Sequence, residues 1–336
     1  MASRPGLRRR SFLVGLLASG IRSAGAEDRR FRIAFANLDE TPGVTLEGLG
    51  FTGVELRRSF ELATRTLPID MLYFDNAGDG ARAIANADAA IVAKVDLLIE
   101  YNADADANAE IARRLAVAGV PAIALIDPLP GAPLYGPDNR EAGRIAGRSL
   151  AAFALETWPN GKVLGVLIGD LADPGPAISE RVDGINEGVH ETLPALKLAS
   201  LDTGGQSVRA DALLAKFLQA QRERNLLIAT LDDLAALNAK NAIEMNRRQS
   251  QCVIVSQGLD RNIHGGAGEK KEIDPHNRGS VVLGSVAYYL DRYGYDVLPL
   301  ALRLLAGERL PPRTTTQHKL ITAANVFREY PPFDMN

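Results

Sequence analysis

Residues Gly48 to Gly53 read GLGFTG, a formal G-x-G-x-x-G, and Asp75 stands about twenty residues further on, where a ribose-binding carboxylate would sit. That pair would suit an exported NAD(P)-dependent oxidoreductase. The chemistry requires the first glycine directly after a strand, so that a pyrophosphate meets a helix N-terminus. Here residues 38–47 separate the apolar run ending at Asn37 from Gly48, so the pattern lacks its context. HGGAGEKK, residues 264–271, is glycine-rich and basic without the spacing of a phosphate loop, and reads as a surface loop. His190, His264, His276 and His318 show no metal-ligand spacing, and no G-x-S-x-G elbow occurs. The lone Cys252 lies in the apolar run QCVIVS and reads as a core strand residue. No local constellation marks an enzyme, and neither a cofactor nor a metal is implied.

The elements that must position any site begin after an export signal. RRRSFLVGLLASGIRSAGA sets Arg8, Arg9 and Arg10 before a short apolar run and ends in Ala24-Gly25-Ala26, so residues 1–26 read as a signal peptide cleaved near Ala26, with a periplasmic mature chain. Arg9-Arg10-Ser11-Phe12-Leu13 is similar to a twin-arginine signal. The apolar run falls short of the roughly 20 residues that span a bilayer. Removing five arginines takes the formal charge from −3 to −8, 33 basic against 41 acidic residues, which disfavours nucleic acid as a partner.

Along the mature chain short apolar runs alternate with longer amphipathic stretches, the pattern of a parallel α/β sheet. Strands are expected at 31–37, 71–75, 97–101 and 122–126, with helices near 54–66, 82–93 and 108–118. The pattern restarts with strands at 163–168, 196–201, 226–230 and 253–255 and helices near 177–191, 208–222 and 234–247, so two similar units are implied. Between them, YGPDNREAGRIAGRSLAAFA reads as a turn and then a helix with Gly143 and Gly147 on one face. Each glycine costs about 1 kcal/mol relative to alanine, so that face must make a close backbone contact.

Six stretches in this order, AKVDLLIEYNADADA, AGVPAIALID, GPDNREAGRIAG, SERVDGINEG, GSVAYYLDRYG and LPLALRLLAGERLP, make the chain resemble the periplasmic sugar-binding proteins of the ribose-binding type, the type I solute-binding family of ABC importers. The resemblance implies two doubly wound parallel-sheet lobes joined by a three-strand hinge, residues 27–136 plus 289–314 forming lobe one and 137–288 plus 315–336 lobe two. Crossings would fall near Gly136-Pro137, Tyr288-Tyr289 and Arg313 to Gln317, with the glycine-bearing helix packed on the second lobe's sheet. It further implies a non-catalytic monomer that binds a small molecule between the lobes, with a membrane permease of an ABC importer, or a membrane sensor, as partner.

By the same resemblance Asp127 falls on the wall aspartate and Arg181 on the arginine that clamps ligand hydroxyls from the other lobe; a carboxylate and a forked guanidinium suit paired hydroxyls. Gln257 and Tyr288 would complete the polar lining, with Asn37, Phe51, Asn76, Leu231 and Ser256 at the remaining ligand positions. The sequence departs from the family at several of these. Pro128 replaces an arginine, Leu231 the asparagine before Asp232, Ser256-Gln257 an aromatic-aspartate pair, and Tyr288 the hinge glutamine. The loop from Leu38 to Gly50 is longer than usual, leaving Phe51 as the nearest stacking aromatic. These exchanges point to a ligand that is sugar-like or less polar.

Overall fold

The computed structural model describes residues 30–330 except 173, 223, 266–270 and 278, so the expected signal peptide lies outside the described residues. The first unit runs β1 (Phe31–Asn37), α1 (Gly53–Ala63), β2 (Ile69–Asp75), α2 (Gly80–Val92), β3 (Leu97–Glu100), α3 (Ala105–Ala118), β4 (Ala122–Leu125) and β5 (Leu134–Gly136). The second runs α4 (Asn139–Thr157), β6 (Val163–Gly169), α5 (Pro176–His190), β7 (Leu198–Asp202), α6 (Ala210–Ala220), β8 (Asn225–Thr230), α7 (Asp233–Met245), β9 (Cys252–Gly258), α8 (Arg261–His264) and β10 (Val282–Ala287). The chain then closes with α9 (Tyr293–Leu305), β11 (Arg313–Thr315), β12 (Leu320–Thr322) and α10 (Val326–Glu329).

The strands form two six-stranded sheets, ordered β11-β5-β4-β3-β1-β2 and β12-β10-β9-β8-β6-β7. All pairings are parallel except β10 with β12. Three connections join the lobes. The chain leaves β5 for α4, leaves β10 for α9, which packs on α1, and passes from β11 in one sheet to β12 in the other. Two parallel sheets in the same doubly wound order, linked three times, are the architecture of a type I periplasmic binding protein.

Side-chain alternation explains the layering. Ile33 and Phe35 of β1 enter a core that continues across the hinge into the second lobe, while Ala34 and Ala36 face the opposite side, against α2 and α3. In β8, Leu227 and Ala229 point into the shared core, and Leu226 and Ile228 into a separate one against α6 and α7. Strands buried on both faces read as continuous apolar runs, which is why the sequence shows runs rather than alternation. Cys252 is buried in β9, its thiol pushed up to about 12 by burial.

The glycines of α4 face a helix. A Cβ on Gly143 would lie 2.2 Å from the Arg181 carbonyl oxygen, and one on Gly147 at 2.2 Å from that of Ile185. The same holds in reverse: Cβ atoms on Gly184 and Gly188 would meet the carbonyls of Arg140 and Arg144 at 2.0 and 2.3 Å. The close backbone contact expected of this face is thus with α5, and the helix packs on the second lobe's sheet as expected, through contacts to β8, β9, β10 and β12. The exposed margin of the pair carries ion pairs, with Arg140 on Glu187 and Arg144 and Arg148 on Glu191.

His264 departs from the expectation. It ends α8 and stacks on Tyr330 at 4.7 Å between ring centroids, and burial pushes its pKa down to about 4, so it is no surface-loop residue. Most of the glycine-rich stretch that follows lies outside the described residues.

Candidate functional site

In each lobe the loops after the C-terminal ends of the parallel strands face the other lobe, the position where open α/β sheets bind ligands. Arg181 comes from α5 and is 1% exposed. Its Nε donates to Asn139 Oδ1 at 2.8 Å, its Nη2 donates to the Glu47 carbonyl at 3.1 Å, and its guanidinium lies 4.9 Å from the Tyr288 ring centroid. Among the described residues it forms no ion pair with a carboxylate. Burying a guanidinium is costly without a matched partner, so this one is held by dipoles and an aromatic face.

The network extends to two more residues expected at the site. The Tyr288 hydroxyl lies 2.8 Å from Gln257 Oε1 and 3.3 Å from Asn139 Oδ1. The shorter contact, to Gln257, takes the tyrosine proton. Gln257 is fully buried, and its Nε2 has no partner among the described residues. A buried amide donor without a partner costs about 1–3 kcal/mol, so this Nε2 is the free donor of the network.

From lobe one come Asp127 and Tyr101. Asp127 follows Ile126, which sits in the left-handed region at φ 66°, and is partly buried. Burial, and then the nearby Glu47 carboxylate, push its carboxyl up to about 6. Tyr101, just beyond β3 and wholly buried, donates its hydroxyl to Glu47 Oε1 at 2.8 Å. Glu47 therefore stands between the walls, its carbonyl on Arg181 and its carboxylate toward Tyr101 and Asp127.

Arg181, Gln257 and Tyr288 are brought into one network, and Asp127 lies near enough to Glu47 to feel its charge. The other five expected residues have local tasks. Asn37 donates to the Gly53 carbonyl at 2.8 Å, anchoring the segment after β1. Asn76 donates to Glu100 Oε1 at 2.9 Å and accepts from Asn86, inside lobe one. Ser256 donates to buried Asp233, which also accepts from Ser285 and the Asp260 backbone. Leu231 is 3% exposed and sits against Gly169, and Phe51, also 3% exposed, enters the shared core.

Four neighbours were not singled out as ligand positions by sequence reasoning. Asn139 is the first residue of α4, which Asp138 caps through the Glu141 amide, so the Asn139 side chain is left to accept from Arg181. Glu47 precedes Gly48 and is itself left-handed at φ 56°, a position that glutamate does not announce in the sequence. Tyr101 opens the YN step of one family-like stretch. His318 accepts from the Asp138 amide at Nε2 and contacts the Ala287 carbonyl through Nδ1, tying two hinge connections together.

The glycine pattern GLGFTG finds no dinucleotide role in this geometry. Gly48 lies in a turn at φ 62°, and a Cβ on Gly50 would fall 1.9 Å from the Asp260 carboxylate of the other lobe. Asp75 accepts from the amides of Glu40 and Ala77, shaping its own turn.

A family model described as a periplasmic binding protein domain matches residues 49–309. The chain belongs to the periplasmic binding protein domain family. Among curated periplasmic binding proteins it is similar to a D-ribose/D-allose-binding protein of Pseudomonas aeruginosa, 25% identical over 228 residues, which cover 65% of this chain and 66% of that protein. The chain thus matches just under two thirds of that relative's length. Among solved periplasmic binding proteins, a solute-binding protein from Actinobacillus succinogenes with bound D-allose superposes with TM-score 0.65 at 16% identity, covering 90% of this chain and 100% of that one. A sugar-binding protein of a Bacillus halodurans sugar ABC transporter gives 0.66 at 18% identity, covering 89% and 99%. At these identities the structures establish the shared fold. These relatives are binding proteins rather than enzymes.

Proposed function

We propose that the chain is an exported solute-binding protein that captures a small hydroxylated molecule between its lobes and delivers it to the membrane permease of an ABC importer. The observation that carries this reading is the buried Arg181 without a carboxylate partner, beside the unpaired amide of Gln257 and opposite Asp127. Together they offer two donors and one acceptor from opposite lobes, the complement of a hydroxyl pair or of a hydroxyl beside a carbonyl. The ribose- and allose-binding relative supports a sugar-like ligand, and the apolar or neutral residues that replace charged or amide family positions, Pro128 and Leu231 among them, favour one with a less polar face.

The proposed lobes are residues 27–136 plus 289–314 and 137–288 plus 315–336, acting as a monomer in the periplasm after removal of the first 26 residues. Binding is tested by thermal-shift and calorimetric titration with D-ribose and D-allose, then with other sugars, polyols and aromatic acids. A ligand at 100-fold its dissociation constant adds about 2.7 kcal/mol of stability, enough to be seen. Arg181→Ala and Asp127→Ala should each weaken binding at least about tenfold. Near-native affinity in both variants would place the site elsewhere.

A further inference from the structure

Residues 38–52, between β1 and α1, lie where the C-terminal edges of the two sheets face each other. Their tip is a built turn. The Leu49 amide donates to the Leu46 carbonyl at 3.0 Å, with Glu47 and Gly48 both left-handed at φ 56° and 62°, the signature of a type I′ hairpin turn. Below the tip, Leu46 donates to the Phe51 carbonyl at 2.7 Å and Thr45 bridges Thr52 in antiparallel fashion. Leu46, Leu49 and Phe51 are at most 3% exposed.

This hairpin touches both lobes. On the second, the Glu47 carbonyl accepts from Arg181, the Leu49 carbonyl stands 2.7 Å from where a Cβ on Gly258 would be, and Gly50 abuts Asp260. On the first, Tyr101 holds the Glu47 carboxylate and Asn37 holds the Gly53 carbonyl.

We propose that the 38–52 hairpin is a built-in occupant of the interlobe cleft, which engages Arg181 in the absence of ligand and must be displaced for a ligand to reach it. It leaves the Gln257 amide unpaired, so a ligand that serves both donors can replace it. The displacement lowers apparent affinity by the fraction of molecules with the hairpin out. The inference rests on the hairpin's contacts and not on which solute is bound.

The lone native cysteine makes a direct test possible, because Cys252 is 4% exposed and slow to react. In the full mature chain carrying Leu49→Cys, without added ligand, the introduced thiol should react with a maleimide at least about tenfold more slowly than in denaturant. Adding Arg181→Ala should accelerate labelling of the introduced thiol about tenfold while Cys252 stays protected. Fast labelling of the introduced thiol with Arg181 intact would overturn the proposal, and so would a rate unmoved by Arg181→Ala. Equal acceleration of both thiols would mean global unfolding, and would also count against it. Hydrogen exchange of the unsubstituted chain gives an independent reading: the Leu49 amide should be protected, and exchange at the rate of an open loop would sink the idea.

Discussion

The guanidinium of Arg181 donates to the carbonyl of Glu47 across 3.1 Å, joining α5 of one lobe to the segment after β1 of the other. The residue proposed to clamp a ligand is thus engaged by a backbone oxygen of its own chain. The same arginine uses its Nε on Asn139, so the two contacts fix the plane of the fork.

Asp127 would give the proposed site a pH dependence. Its carboxyl is pushed from 3.8 up to about 6, first by burial and then by Glu47, so it loses its charge as pH falls below that value. Ligand affinity should therefore fall as pH drops from about 7 to about 5, and Asp127→Asn should bind weakly at both. Calorimetric titration at the two pH values checks this; an unchanged affinity in the wild type would exclude Asp127 as a ligand group.

Glu100 affects stability rather than binding. Burial pushes its carboxyl from 4.5 up to about 8, partly offset by the Asn76 hydrogen bond. The folded chain then holds a proton that the unfolded chain releases above about pH 4.5. This contribution is fully present below that pH and is lost as pH rises through about 8. Glu100→Gln keeps an acceptor for Asn76 and should reduce the alkaline loss, by about 1–3 kcal/mol between about pH 6 and 9. Urea midpoints of wild type and variant would reveal it, and parallel pH profiles would contradict it.

The α4–α5 contact should tolerate no side chain. Gly147→Ala places a methyl 2.2 Å from the Ile185 carbonyl, and neither backbone can give way without shifting the helix pair. A loss of about 2–3 kcal/mol is expected despite alanine's better helix propensity. Chemical denaturation decides the sign, since an isolated helix would gain about 1 kcal/mol instead.

At the hinge, His318 is held neutral. Burial lowers its pKa below 6.5, and its Nε2 accepts the Asp138 amide. A lowered histidine contributes stability that is present above the unfolded value and declines as pH falls through it. His318→Leu should be less stable than wild type near pH 8, with the gap narrowing toward pH 5. A gap that widens on acidification would refute the neutral tautomer.

Export is open to a separate test. Replacing Arg9 and Arg10 by lysine should stop periplasmic accumulation if the twin-arginine route is used, whereas an unchanged periplasmic yield would rule that route out while leaving secretion itself intact.

The sequence by itself determined the two α/β units, because strands buried on both faces must be continuous apolar runs and the helices between them must carry one apolar side. It also required close contact at Gly143 and Gly147, since glycine in a helix interior needs a reason. It placed Arg181, Gln257 and Tyr288 only through resemblance to a family. It missed β5, β11 and β12, which are three residues each and too short to show a period, and it missed β10. What only tertiary structure decided is who meets whom. Arg181 and Glu47 are 134 residues apart, and Tyr288 and Asn139 are 149 apart. No local pattern encodes such pairs, because their distance is set by how two sheets, three hinge connections and the α4–α5 packing fix the lobes together. The hairpin shows the division most plainly: the sequence marks only a long segment from Leu38 to Gly50, and the second lobe's surface at Gly258 and Asp260 seats the turn that forms within it.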